Sequence, residues 1–157
     1  PCSFVYTIWQ NIAEPLGANH GLKDASIAFG DYNNDGYIDF AVIGNDGTNR
    51  RFIIYKNNGN FAFTNICEPM GANTGLESGY NAIAFGDYNN DGLLDLAVCG
   101  YDGTNQRLLI YKNIGNDSFV KIAEPMGANL GVQNGCVRWG DLDNDGDLDW
   151  QLMAALI

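Results

Sequence analysis

Asp31, Asn33, Asp35 and Asp39 place side-chain oxygens at positions 1, 3, 5 and 9 of one short stretch, with Gly36 at position 6. The pattern returns at Asp87, Asn89, Asp91 and Asp95 around Gly92, and again at Asp141, Asp143, Asp145 and Asp149 around Gly146. A hard cation such as Ca²⁺ takes about six to eight oxygens at about 2.3–2.6 Å. Alternate residues of a tight loop can all point inward, and the glycine allows the turn that brings position 9 round. The backbone carbonyl of position 7 (Tyr37, Leu93 or Asp147) is the natural extra ligand. A high all-oxygen count favours Ca²⁺ over Mg²⁺. The expectation is therefore one Ca²⁺ per loop, about three per chain.

Other loops share part of this pattern. An EF-hand needs a bidentate Glu at position 12 and flanking helices. Position 12 here is Val42, Val98 or Leu152, so the EF-hand reading fails. A dockerin-type loop also wants an acid or Asn there, and fails likewise. An Asn/Asp/Gly-rich turn that binds nothing is the remaining rival. Three copies with one ligand spacing favour the metal.

Composition supports a folded, acidic domain. The chain has 157 residues, 46% of them hydrophobic, enough for one domain with a core. Its net charge is −11, and the three loops hold 11 of its 19 acidic residues. The acidity is thus concentrated in the candidate metal sites. With only eight Lys and Arg, the chain is not expected to bind nucleic acid. Cys2, Cys67, Cys99 and Cys136 form no CxxC pair, which argues against zinc. They align with small or apolar residues of the other repeats, so free buried thiols are expected, with a disulfide as the alternative. No apolar run is long enough to span a bilayer, so no membrane insertion is expected. The chain opens on Pro1 without a signal peptide; a removed leader or a piece of a longer chain is the expectation.

The elements that must position these loops repeat every 54–56 residues. Glu14-Pro15-Leu16-Gly17-Ala18-Asn19 returns at 68–73 and 124–129, and Tyr55-Lys56-Asn57 returns at 111–113. Within one repeat the pattern predicts four strands: Ser26 to Phe29, Asp39 to Ile43, Arg51 to Tyr55 and Phe61 to Ile66. The second is almost wholly apolar, as in a strand buried on both faces. Asp46-Gly47 and Asn58-Gly59 are hairpin turn signals. No helical period is visible. Four strands, then a long connection rich in Gly and Pro, predict an all-β fold, a β-propeller of four-stranded blades. A sandwich or barrel does not predict near-identical units at this spacing.

The repeats run approximately 14–67, 68–123 and 124–157 in a single propeller domain. The third copy has its loop between strands at Cys136–Trp139 and Asp149–Ala154, and no later strand is expected. The segment 1–13, strand-like from Ser3 to Trp9, precedes the first Glu-Pro motif and can complete an incomplete last blade. Three blades are too few to close a ring of the usual four to eight. The expectation is a homodimer closed as a six-bladed ring, each N-terminus completing the partner's last blade. The alternative is a fragment of a longer propeller.

Phe29-Gly30-Asp31, Phe85-Gly86-Asp87 and Trp139-Gly140-Asp141, each followed by the acidic loop, make the chain resemble the FG-GAP/VCBS repeat family, the calcium-binding blades of integrin α-subunit propellers. The resemblance covers nearly the whole chain. It implies that each loop joins the first two strands of a blade and holds one Ca²⁺ through the residues named above. The Gly-Ala-Pro that follows the second strand in the family is here Gly44-Asn45-Asp46 and Gly100-Tyr101-Asp102, with Ala154 in the third copy. That segment faces the ligand side in relatives, so their partner specificity does not carry over. Similar repeats occur in fungal lectins and bacterial surface proteins, which implies an extracellular or cell-surface setting.

Three functional readings follow. The first is a calcium-stabilised, non-catalytic recognition module for carbohydrate or protein. Its ligand face would carry Glu14, Asn19, His20 and Asp46, then Glu68, Asn73 and Asp102, with Tyr80 or Tyr101 as stacking surfaces. Alternatively, Glu-Pro-x-Gly-Ala-Asn stabilises a turn with its Asn in a left-handed conformation. The second reading is a purely structural or adhesive repeat. The third is a hydrolase; the single His20 has no neighbouring nucleophile, and the paired carboxylates are better explained as ligands. Trp9, Trp139 and Trp150 are expected between blades.

Overall fold

A computed structural model describes residues 21–60, 62–79 and 81–154. The expected completing segment 1–13, together with Cys2, Trp9, Glu14, Asn19, His20, Phe61 and Tyr80, lies outside the described residues.

The described residues hold ten strands and no helix. Strands β1 (Lys23–Gly30), β2 (Asp39–Asn45), β3 (Arg50–Asn57) and β4 (Phe63–Cys67) form one antiparallel sheet in that order. Strands β5 (Ile83–Gly86), β6 (Asp95–Tyr101), β7 (Gln106–Asn113) and β8 (Phe119–Ala123) form a second with the same topology. Strands β9 (Gly135–Gly140) and β10 (Asp149–Ala154) form a two-stranded third. Each four-stranded sheet is a meander, as expected for propeller blades. Strands appear at all four places expected in the first repeat, most of them longer by one to three residues at an end, while β4 begins at Phe63 instead of Phe61, which lies outside the described residues. The Asp46-Gly47 turn is a four-residue connection instead of a tight two-residue one. Asp46 N–H donates to the Asn49 carbonyl at 3.0 Å, and Asp46 Oδ1 accepts from Thr48 and Asn49 N–H.

Registers repeat as closely as the sequence does. Gly30 faces Asp39, Gly86 faces Asp95 and Gly140 faces Asp149. Phe40 faces Tyr55 and Leu96 faces Tyr111. A bulge falls between Ile54 and Tyr55, and its counterpart between Ile110 and Tyr111. The acidic loop is therefore always the β1–β2 type of connection, opening and closing on a Gly–Asp pair.

The core lies between the sheets. Ala41, Ile43, Phe52 and Ile54 of the first sheet pack with Leu96, Val98, Leu108 and Tyr111 of the second, and with Val137 of the third. The middle strands β2, β3, β6 and β7 are largely buried on both faces because sheets or connections cover both. Each interior methylene gains about 0.8 kcal/mol on burial, which is why these strands are runs of Ile, Leu, Val and aromatics without polar alternation. The inner strands β1, β5 and β9 lie side by side.

Glycine makes that approach feasible. A Cβ on Gly30 would sit 2.8 Å from Leu94 Cδ1 and 3.2 Å from Phe85 Cδ2. One on Gly86 would sit 2.5 Å from Trp139 Cδ1. Phe85 and Trp139, the aromatics of the second and third motifs, thus seat on the glycine of the preceding blade. Trp139 also stacks on Tyr88 at 6.0 Å and donates its indole N–H to the Ala84 carbonyl at 3.2 Å, between blades as expected.

Candidate metal centres

All fifteen predicted ligand positions are described, and they fall into three loops of one design. Asp31, Asn33, Asp35 and Tyr37 lie between β1 and β2, with Asp39 opening β2. Asp87, Asn89, Asp91 and Leu93 lie between β5 and β6, with Asp95 opening β6. Asp141, Asp143, Asp145 and Asp147 lie between β9 and β10, with Asp149 opening β10.

Backbone N–H groups hold the side chains inward in the same way each time. Asp31 accepts from Asp35 N–H at 3.1 Å and Gly36 N–H at 2.9 Å. Asp87 accepts from Asp91 at 3.1 Å and Gly92 at 2.8 Å, and Asp141 from Asp145 at 3.1 Å and Gly146 at 3.0 Å. Position 5 accepts from position 7: Tyr37 N–H to Asp35 at 2.9 Å, Leu93 to Asp91 at 3.0 Å and Asp147 to Asp145 at 2.9 Å. The turn needs left-handed backbone at Asn34, Asn90 and Asn144 (φ 58°, 54° and 61°) and positive φ at the following Gly36, Gly92 and Gly146. Asparagine and glycine tolerate these values best.

Position 9 is the anchor. Asp39 is fully buried, accepting from Asn57 N–H at 2.7 Å and Tyr32 N–H at 3.2 Å. Asp95 is fully buried too, accepting from Asn113 N–H at 2.7 Å and Tyr88 N–H at 3.3 Å. Burial pushes the Asp39 carboxyl up against those two N–H groups, and Asp35 and Asp31 push it further. Burial likewise raises Asp95 to about 6, with Asp91 and Asp87 adding to it. Desolvated carboxylates beside like charges are what a bound cation relieves.

The third loop brings carboxylates closest. One oxygen from each of Asp141, Asp143 and Asp149 lies within 4.8 Å of the others. Asn33 and Asn89 replace the middle carboxylate in the other loops, so only their amide oxygens are available there. The donor set in all three is oxygen only, and it fits a hard cation. When bound, Ca²⁺ would supply charge neutralisation and cross-linking of the loop, through Asp31, Asn33, Asp35, Asp39 and the Tyr37 carbonyl and their counterparts.

The structure adds a supporting set that ligand spacing alone misses. Asn57 and Asn113 reach back 18 residues to cap the position-9 carboxylate. Lys112 Nζ lies 3.1 Å from Asp91, and Lys56 Nζ 4.0 Å from Asp35. The Leu93 N–H and the Lys112 ammonium hold the Asp91 carboxyl below its usual range. The recurrence of Tyr-Lys-Asn was the available signal: it is the end of β3 and β7 closing over the loop.

At the opposite ends of the sheets arginines pair with carboxylates, while the buried Nε of Arg51 and of Arg107 finds no partner. Arg51 binds Asp46 at 3.1 Å and Glu68 at 2.9 Å; Arg107 binds Asp102 at 3.0 Å and Glu124 at 2.9 Å. Glu68 also accepts from Asn73 N–H at 2.9 Å, and Glu124 from Asn129 N–H at 3.0 Å. Asn73 and Asn129 are left-handed (φ 59° and 61°). Glu-Pro-x-Gly-Ala-Asn is therefore the turn device in both described copies. Glu68, Asp46 and Asp102 spend their carboxylates inside the fold, whereas Asn73 gives its backbone N–H and remains exposed. Tyr101 lies under Arg50, 4.9 Å from ring centroid to guanidinium carbon.

Cys67, Cys99 and Cys136 are free thiols, Cys99 fully buried and the others half-buried. Burial pushes Cys99 up to about 12 and Cys67 to about 11, so neither is a thiolate at neutral pH. Among the described residues no helix is long and apolar enough to cross a membrane.

No curated protein and no solved structure matches the chain. A family model does match, described as the FG-GAP-like repeat, over residues 31–98 and 87–150. Such domains are generally recognition or adhesion modules rather than catalysts. The two matches overlap at the second acidic loop and between them span all three loops, more than half of the chain, so the chain belongs to the FG-GAP-like repeat family.

Proposed function

We propose that each loop holds one Ca²⁺ and that the chain is a calcium-stabilised, non-catalytic β-propeller module that recognises carbohydrate or protein outside the cell. The observation that carries the metal reading is the convergence of Asp141, Asp143 and Asp149 within 4.8 Å, set in a hydrogen-bond frame that the other two loops repeat. Without an ion these carboxylates repel one another, so metal binding and folding are coupled. Extracellular modules bind Ca²⁺ at about 10⁻⁴–10⁻³ M, a range met outside cells. Calorimetric titration with Ca²⁺ tests the reading. About three sites per chain are expected from the three loops, with a rise in melting temperature; no heat and no shift would end it.

A purely structural or adhesive role is favoured by one observation: the repeated carboxylates opposite the acidic loops are already engaged by Arg51 and Arg107. A glycan array separates the two readings. Specific binding of one sugar class supports recognition of carbohydrate, and an empty array favours a protein partner or adhesion. Closure of the propeller by a second copy is part of the proposed reading.

A further inference from the structure

Neighbouring acidic loops are hydrogen-bonded to one another through residues that stand between their ligands. Asn34, between Asn33 and Asp35, donates its Nδ2 to the Gly92 carbonyl at 2.8 Å. Gly92 lies between Asp91 and Leu93 of the second loop. Asn90 makes the same reach to the Gly146 carbonyl, at 3.3 Å. Each donor is the left-handed residue at the turn of its own loop, so its side chain is placed by that loop's backbone.

A second, buried bridge joins the first two loops. Tyr32 N–H donates to Asp39 at 3.2 Å, and the carbonyl of the same residue accepts from Asn113 Nδ2 at 2.9 Å. Asn113 N–H donates in turn to Asp95 at 2.7 Å. The position-9 carboxylates of the two loops are thus linked through the backbone of Tyr32 and one asparagine. Asn113 is 1% exposed; its Nδ2 also meets the Leu94 carbonyl at 3.2 Å, and its Oδ1 accepts from Gly115 N–H at 2.9 Å. Asn57 makes the equivalent bonds inside its own blade, to the Ile38 carbonyl and from Gly59 N–H. The bond to Tyr32 is what Asn113 adds between blades. Tyr32 is held there by its hydroxyl, which donates to Asp117 at 2.6 Å.

We infer that the first and second loops are coupled sites, each binding Ca²⁺ more tightly when the other is filled, with Asn34 as the positioning residue between them. This rests on the calcium reading above and adds how the sites act on one another. A loop must be ordered before its oxygens can converge, and that ordering opposes binding. The Gly92 carbonyl is held by Asn34 only while the first loop keeps its turn, and Asn113 keeps the two loops in fixed relation. The second loop to fill therefore has less chain left to order, which is positive coupling. The coupling is reciprocal by thermodynamic necessity.

Calcium titration of the full chain followed by proton–nitrogen NMR tests it, because each loop has its own reporter. The amides of Gly36 and Gly92 each donate to the position-1 carboxylate of their own loop. Asp31→Ala disables the first loop and is expected to raise the Ca²⁺ midpoint of Gly92 about fivefold. Asp87→Ala should raise the midpoint of Gly36 by the same factor. Asn34→Gly keeps the positive φ and removes only the bridging side chain. It should raise the Gly92 midpoint about twofold with the first loop intact, and no further once Asp31→Ala is present. A merely structural role for Asn34 would move that midpoint equally in both backgrounds, and so would overturn its assignment. A Gly92 midpoint that Asp31→Ala leaves unchanged or lowers, the latter being the sign of plain repulsion between ions, overturns the coupling and leaves the calcium reading standing. Glycine amides that do not respond to Ca²⁺ in the wild type end both.

Discussion

Replacing Asp95 by Asn separates the ligand role of the position-9 carboxylate from its structural role. Asp95 is fully buried and accepts from Asn113 N–H at 2.7 Å, from Tyr88 N–H at 3.3 Å and from Asn89 Nδ2 at 3.3 Å. An amide keeps one acceptor oxygen, so at least one backbone N–H loses its partner, at about 1–3 kcal/mol. That cost is offset in part because a charge no longer has to be desolvated. In chelator the drop in stability should therefore stay below about 2 kcal/mol. In Ca²⁺ at about a hundred times the dissociation constant, the wild type also gains about 2.7 kcal/mol from an occupied site. The variant forfeits that gain at the second loop. A domain of this size shifts by about 2–4 °C per kcal/mol, so the variant should fall about 5–10 °C further in Ca²⁺ than in chelator. Thermal unfolding followed by circular dichroism, in CaCl₂ and in EDTA, measures both drops. Equal drops in the two conditions would show that Asp95 only caps the backbone and would refute its role as a ligand.

Two further outcomes follow from the same structure. Asp95 is raised to about 6 in the metal-free fold, above its unfolded value of about 3.9. Its favourable contribution is complete below the unfolded pKa and is lost as pH rises through about 6. The chelated protein should thus lose stability between about pH 4 and 6, while the Ca²⁺-loaded protein gains it because protons compete with the ion; melts in a His20→Gln background check this, and parallel slopes would count against it. Arg107→Ala should cost about 1.5–3 kcal/mol, since it removes a charged donor from Asp102 and from Glu124; Asp102 keeps the Thr104 and Asn105 N–H groups, and Glu124 keeps Lys121 and the Asn129 N–H. Urea unfolding checks the size, and a change below about 0.5 kcal/mol would mean that water replaces the guanidinium.

The strand order, the blade unit and the three loops were legible because each repeats a local pattern. The apolar run Asp39 to Ile43 read as a doubly buried strand, and β2 is largely buried, as is its repeat β6. The ligand spacing read as a loop with side chains turned inward, and backbone N–H groups hold those side chains so. Lys112 and Asn113 were visible only as a recurring Tyr-Lys-Asn, because their partners lie a whole strand away. The use of Glu68 and Asp46 was open for a similar reason. A carboxylate that faces a ligand and one that faces Arg51 look alike in sequence, and only the fold of the chain back on itself decides between them.

By itself, then, the sequence determined what short-range chemistry determines: turns that need Asn or Gly at positive φ, strands that need apolar faces, and oxygen donors spaced to meet round one ion. The tertiary structure decided what depends on distance through space. It buried Asp39 and Asp95 under the ends of β3 and β7 while leaving Asp149 partly open. It seated Phe85 and Trp139 on the preceding glycines, while Phe29 is 65% exposed among the described residues. Identical motifs thus ended in different environments, because burial and pairing belong to neighbouring blades and not to the residues that carry the motif.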